Sequence, residues 1–263
     1  MPPLREKKLE EKTEKEFTNV SLDTPDTTQQ LEGKIQRKLR DLHKQGKIDT
    51  ETYKNIYPSG SVTPTANPVI KAHKPEKDFP IRIIISHIGA PQEPLAAFLN
   101  KILMPYVESS KYTCKNSFEF IEKTRKIKVG ANEKMISYDA TALFPSIPIQ
   151  DAINHIKLLL ENDTDLTSRT KLSPSEIAEL ISLCVSTSNF IYNGRHHTQK
   201  DSGPIGLSIM VTISQIWMTY HLDEAIEIAN SRNIPVPRHI TIYMDDCWGL
   251  VCYPREGLRS NSP

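Results

Sequence analysis

The chain has little of what marks several functional classes. It carries 4 cysteines in 263 residues, and Cys114, Cys184, Cys247 and Cys252 form no C-x-x-C pair and have no histidine at zinc-ligand spacing. That argues against a zinc-organised or disulfide-framed fold, and reduced thiols point to an intracellular protein. No run of about 18 apolar residues could span a bilayer, and no apolar stretch near the start has the form of a signal peptide. The expected setting is the nucleus or cytoplasm, with no membrane partner. Formal charge is only +1, so no field of one sign draws the whole chain towards nucleic acid. Hydrophobic content is 38%, and the polar, charged first eighty residues account for much of the shortfall.

Length allows one large domain or two small ones, at roughly 100–200 residues per domain. Residues 1–26 are mostly Lys, Glu and Thr, too few apolar side chains to offset ordering entropy, so disorder is expected there. From Thr27 to Gln45, Leu31, Ile35, Leu39 and Leu42 recur at helical spacing, with Gly46 as the stop. Gly33 weighs against the first turns, at about 1 kcal/mol relative to alanine. Pro58 to Pro80 reads as extended loop and 81–86 as a β-branched strand carrying Arg82. Helical spacing recurs over 92–108, 116–127, 149–162, 174–189 and 208–229. Strands are expected at 133–139, 238–243 and 247–253. Strands and helices without regular βαβ alternation indicate an α+β fold. Between Lys101 and Lys134, eight Lys/Arg face four Glu, either a basic patch for phosphate or an ordinary solvated face.

The chemistry concentrates at two strand ends. Tyr243-Met244-Asp245-Asp246 sits between the apolar runs Arg238-His-Ile-Thr-Ile and Cys247-Trp-Gly-Leu-Val-Cys, which reads as a tight turn bearing two adjacent carboxylates. Upstream, the run Met135-Ile-Ser-Tyr ends in Asp139, followed by a proline-punctuated turn. Carboxylates converging from two strand ends repel unless cations bridge them, the arrangement that two-metal phosphoryl chemistry requires. Asp139 and Asp245 are the candidate bridging ligands and Asp246 an auxiliary one. Each motif alone also reads as ordinary structure: Asp139 as a helix cap, Asp245-Asp246 as a hairpin turn. Between them, Gln199-Lys-Asp-Ser-Gly-Pro-Ile-Gly-Leu-Ser208 is a glycine-containing turn into a helix, where backbone could approach a bound strand or phosphate.

In this order, strand-Asp, glycine turn with helix, then Y-M-D-D hairpin, the pieces resemble the palm motifs of reverse transcriptases, and most closely those of Penelope-like retroelements. Asn67-Pro-Val-Ile-Lys-Ala-His-Lys-Pro75 is similar to that family's L-P-K-I-H-K-P segment, and Pro80-Ile-Arg-Ile-Ile to its L-R-P-I. Ser86-His-Ile-Gly-Ala-Pro, Phe190-Ile-Tyr-Asn-Gly-Arg and Lys44-Gln-Gly-Lys-Ile-Asp-Thr-Glu-Thr-Tyr53 resemble further stretches. The chain departs from the pattern at Gly206-Leu-Ser-Ile-Met-Val, where many relatives read G-S-P-L-S-P, and at Ile205, where other reverse transcriptases often place Gln.

The resemblance implies a right-hand polymerase of fingers and palm, with an antiparallel palm sheet backed by helices. Its divisions would be a disordered terminus (1–26), an N-terminal helix and fingers-like region (27–134), a palm-like catalytic region (135–253) and a tail (254–263). It implies RNA-directed DNA polymerase activity: nucleotidyl transfer from a dNTP to a primer 3′-hydroxyl on an RNA template, with two Mg2+ ions, or Mn2+ in their place, held by Asp139, Asp245 and Asp246. Lys71 and Arg82 would lie in the fingers, Arg82 meeting the triphosphate, since a guanidinium stays charged and binds phosphate oxygens in pairs. Phe144 would lie against the sugar and exclude a ribose 2′-OH by bulk. Gly206 would help form the dNTP site, and Tyr243 would lie beside the primer end. The chain ends seventeen residues after Asp246, so the expectation is of an absent thumb. The alternatives are a truncated, inactive nucleic-acid-binding remnant and, from the carboxylates alone, a metal-dependent hydrolase.

Overall fold

A computed structural model describes residues 20–70, 72, 79–140, 143–185, 189–199, 203–204 and 206–252. Expectations for residues 1–19, for Lys71 and for Ile205 lie outside the described residues. In chain order the first elements are β1 (Val20–Ser21), α1 (Thr28–Lys44), α2 (Thr50–Ile56), β2 (Thr65–Ile70), β3 (Ile81–Ser86), α3 (Glu93–Glu108), α4 (Ser117–Thr124) and β4 (Glu133–Asp139). Then come α5 (Leu143–Ser146), α6 (Ile149–Glu161), α7 (Leu166–Arg169), α8 (Pro174–Val185), β5 (Asn189–Tyr192), β6 (Arg195–Gln199), α9 (Ser208–Ser231), β7 (His239–Tyr243) and β8 (Asp246–Cys252). This is the α+β class expected. Two compact units interleave along the chain: Met1–Ile102 with Phe144–Met210, and Leu103–Leu143 with Val211–Pro263. No described helix is long and apolar enough to cross a membrane.

In the first unit, α1 buries Leu31, Ile35, Leu39 and Leu42, the stripe its spacing predicts. Gly33 is accommodated within this helix. Asp49 caps α2 by accepting the Thr52 N–H at 2.7 Å. The sheet has strand order β1-β6-β5-β2-β3. Its β5-β6 hairpin turns at Asn193 and Gly194, both at positive φ (48° and 74°), as a two-residue primed turn requires.

Three expectations need correction here. Val20–Ser21, placed in the disordered terminus, pairs with Gln199 and Thr198 of β6, and the Thr24 N–H donates to the His196 carbonyl at 2.9 Å. Pairing to an existing strand edge supplies order that composition alone does not forecast. Thr65–Ile70, read as loop because of its prolines, is strand β2, antiparallel to β3 along its whole length. The helix expected over 174–189 ends at Val185, and Asn189 opens β5. Phe190 is buried there against Ala66, Ile85 and Tyr192, so tertiary packing overrides local spacing.

In the second unit, β8 lies between β4 and β7, antiparallel to both. One face carries Ile240, Ile242 and Cys247, which form a core with Tyr112 and with Met218, Leu222 and Ile226 of α9. The last three recur every fourth residue and so share one stripe of the helix. At the far end of the sheet Arg238 bonds Glu133 through two nitrogens, one contact being 2.9 Å. That pair holds the Glu133 carboxyl down at about 2, the Gly130 N–H assisting.

Candidate active site

β4 pairs with β8 in a register that sets Asp139 directly opposite Asp246, and β7 pairs on the other side so that Tyr243 is also opposite Asp246. Cross-strand partners in an antiparallel sheet share a face. Asp139, Asp246 and Tyr243 therefore line up at one end of the sheet, on the face away from the α9 core. Asp245 stands in the turn itself, and its carbonyl accepts the Ala140 N–H at 3.0 Å, fastening the end of β4 to the hairpin. The turn is tighter than the sequence suggested: Asp246 is the first residue of β8, and only Met244 and Asp245 form the connection. Met244 takes φ 55°, a region costly for a long side chain.

The period-two alternation that sets Asp246 on this face also sets Trp248 there, opposite Ser137 and Thr241. Trp248 meets Phe120 of α4 edge-on at 5.5 Å and His239 at 5.6 Å. A cleft of about 260 Å³ lies against this face, lined by Asn116, Phe120, Ser137, Thr241, Tyr243, Asp246 and Trp248. In the sequence Trp248 reads only as part of a strand, although counting two residues on from Asp246 predicts its face. Tyr243 is 42% exposed and Met244 43%, so the hairpin tip is open to ligands.

On the opposite face, Cys247 reports on all three carboxylates. Burial pushes its thiol above the ordinary value, a hydrogen bond with Tyr138 pulls the other way, and the charges of Asp246, Asp139 and Asp245 add smaller upward pushes. Partial burial and this sulfur together hold the Tyr138 phenol up at about 12. All three carboxylates are thus within electrostatic reach of one atom. As they stand they are not drawn to a common point: among the described residues no three His, Cys, Asp or Glu side chains form a group that could hold an ion. In kind the donors fit Mg2+, which takes hard oxygen ligands through few carboxylates, and in backbone position they converge from two strands.

Arg82, Phe144 and Gly206 belong to the first unit. Arg82 is exposed on β3, opposite Val69. Phe144 is half-buried in α5. Gly206 has φ 92°, and a Cβ there would stand 2.0 Å from the Ile85 carbonyl oxygen. Its glycine is required by this close approach to β3, a backbone reason independent of any nucleotide. Of the basic cluster between Lys101 and Lys134, Lys111, Lys115, Lys123 and Arg125 are engaged in ion pairs with Asp223, Glu108, Glu119 and Glu122.

No protein-family model matches the sequence, and no curated protein matches it. Solved structures do. A telomerase from Candida albicans, in complex with a TWJ fragment of telomeric RNA, matches over 96% of this chain with TM-score 0.60 at 12% identity. The fold is that of a right-hand polymerase. A BmCPV RNA-dependent RNA polymerase at elongation state matches over 80% of the chain with TM-score 0.53 at 10% identity. A further RNA-dependent RNA polymerase, with vp4 and dsRNA, matches over 87% with TM-score 0.54 at 9% identity. The chain spans 43% of the telomerase and 19% and 22% of the two RNA polymerases. Within a right-hand polymerase fold, the β4-β8-β7 sheet and its hairpin supply the candidate active site.

Proposed function

We propose that the chain is the fingers and palm of an RNA-directed DNA polymerase from a Penelope-like retroelement, transferring nucleotides from dNTP to a DNA primer on an RNA template. One observation carries this reading: Asp139 and Asp246 stand opposite each other in the register of a sheet whose fold neighbours are a telomerase and RNA-dependent RNA polymerases. Asp139, Asp245 and Asp246 would hold divalent cations, Mg2+ or Mn2+. Bound there, such ions supply charge neutralisation at the phosphate and a lowered hydroxyl pKa. The chain's own residues do the positioning. Tyr243, on the carboxylate face, offers an aromatic surface to the primer terminus. Arg82 presents a bidentate donor for the triphosphate. Phe144 would set the sugar preference through the bulk of its ring. Positioning and electrostatics provide most of the acceleration in such reactions.

The test is incorporation of dNTP on an RNA template with a DNA primer. Wild type extends the primer, and Asp245→Asn, which keeps shape but removes charge, extends it about 100-fold more slowly or worse. Equal extension by both contradicts the role of Asp245. Phe144→Ala is expected to admit ribonucleotides, and unchanged discrimination against NTP removes Phe144 from the sugar site. Extension by neither wild type nor variant, with RNA binding retained, favours the non-catalytic remnant.

A further inference from the structure

The fold supplies no reason for one side of α1. Its inner face is fixed by Leu31, Ile35, Leu39 and Leu42. On another side Lys34, Arg37, Arg40 and Lys44, all exposed, follow one another at three- and four-residue intervals, a stripe about 15 Å long. None of the four has an ion-pair partner among the described residues. Arg37 and Arg40 only turn Nε back to the Gly33 and Gln36 carbonyls, each at 3.3 Å. Elsewhere the surface does the opposite. Lys123, Arg125 and Lys157 each meet a carboxylate three or four residues away, on Glu119, Glu122 and Glu161, and Lys38 of α1 itself reaches Glu179. Formal charge is +1 over the whole chain, so the stripe is a local concentration and not a sample of a generally basic surface. Like charges at this spacing repel and destabilise a helix. The helix dipole accounts for Lys44 in the last turn, but not for Lys34, Arg37 and Arg40.

Gly33 is a second unexplained feature on that side, its carbonyl bonded to Arg37 one turn on. A Cβ at Gly33 would meet nothing within 4 Å, and its φ lies outside the left-handed region. Neither packing nor backbone conformation therefore requires a glycine, which weakens a helix interior. The missing side chain does let another backbone come close. Two local rules broken on one side of a helix, with no structural gain, mark a functional surface.

We infer that this side of α1 docks an acidic helix of a partner protein, crossing at Gly33 with carboxylates set against Arg37, Arg40 and Lys44. Glutamates or aspartates at three- and four-residue spacing repeat along a partner helix at the same rise as these cations, and a guanidinium binds a carboxylate through two nitrogens. Single-stranded nucleic acid is the poorer match, since it needs open ring faces for its bases. Tyr53, close enough to Arg40 to feel its charge, is stacked on His43 at 4.6 Å and meets Tyr57 at 5.1 Å, so its ring is committed within the chain. This surface does not rest on the polymerase reading.

The experiment measures, by anisotropy at low ionic strength, binding of the full chain to a fluorescein-labelled, alanine-based helical peptide carrying glutamate at every third or fourth position. Wild type should bind this peptide and ignore the same peptide with glutamine in place of glutamate. Arg37→Gln or Arg40→Gln should weaken binding about two- to fivefold, as loss of one exposed ion pair does, and combining both with Lys44→Gln should weaken it roughly tenfold or more. Gly33→Ala is the sharpest arm: it should raise the melting temperature, as alanine does within a helix, and yet weaken binding. No binding by wild type, or equal affinity in wild type and the triple variant, overturns the proposal. Unchanged affinity in Gly33→Ala overturns the crossing at that residue. Tighter binding of an RNA hairpin of equal charge, lost in the same triple variant, also overturns the proposal, because the stripe would then serve phosphates.

Discussion

The two sheets of this molecule use the chain in opposite ways. The three-stranded sheet of the second unit is made from strands of five to seven residues, antiparallel throughout, with one face packed on α9 and the other carrying Ser137, Thr241 and Trp248 beside the hairpin carboxylates. The five-stranded sheet of the first unit is stitched from pieces far apart in sequence: a two-residue strand, a strand containing Pro68, and a parallel pairing fixed at Thr65 and Ile191. The first sheet is ordered by its own pattern, the second by its partners. Function and stability should therefore separate: substitutions at the hairpin end alter chemistry with little effect on folding, and substitutions around the stitched sheet do the reverse.

The largest expected effect is on chemistry alone. Asp139→Asn should lose primer extension as Asp245→Asn does, with a melting temperature within error of wild type, since both carboxylates lie at an exposed sheet end. A large drop in melting temperature would show that these carboxylates are structural. Next comes Leu39→Ala in α1, fully buried, which should cost about 2–5 kcal/mol in denaturant unfolding. Gly206→Ala combines an unfavourable φ with a Cβ set against the Ile85 carbonyl, and about 2–4 kcal/mol is expected. A stability change below about 0.5 kcal/mol would mean that the close approach to β3 is relaxed in solution.

How far these features could be read in advance depends on what holds each one. The strands 133–139, 238–243 and 247–253 were legible to within a residue, because short apolar runs end there at polar or turn residues. The α1 stripe was legible for the same reason, Gly33 notwithstanding. Val20–Ser21 and Thr65–Ile70 were not, since their order comes from edges supplied by β6 and β3, and nothing within either segment announces a partner. At the site, Asp139 and the hairpin were legible as strand ends, while their register was not, because pairing distant strands is a tertiary fact. The interleaving of the two units is likewise invisible to composition, which runs along the chain and cannot show which segments pack together.

The smallest effect concerns the base of the site-bearing sheet. The folded Glu133 carboxyl lies at about 2, below its ordinary 4.5, with Arg238 the main cause. The unfolded chain therefore binds the proton more readily, so this contribution to stability is whole above about pH 4.5 and fades as pH falls towards 2. Arg238→Ala should flatten the acid limb of the melting-temperature profile in that window. A parallel shift at all pH values would assign the arginine a packing role instead.

The central claim is that the β4-β8 register makes one cation site from two strands. Titrating Mn2+ into the full chain and following its paramagnetic resonance tests this without requiring catalysis. Wild type should bind, Asp139→Asn and Asp246→Asn should each abolish most of the bound signal, and the double variant should be no worse than either single one, because both carboxylates serve the same ions. Undiminished Mn2+ binding in Asp139→Asn would contradict the account, for it would mean that the strand carrying Asp139 contributes nothing to the site.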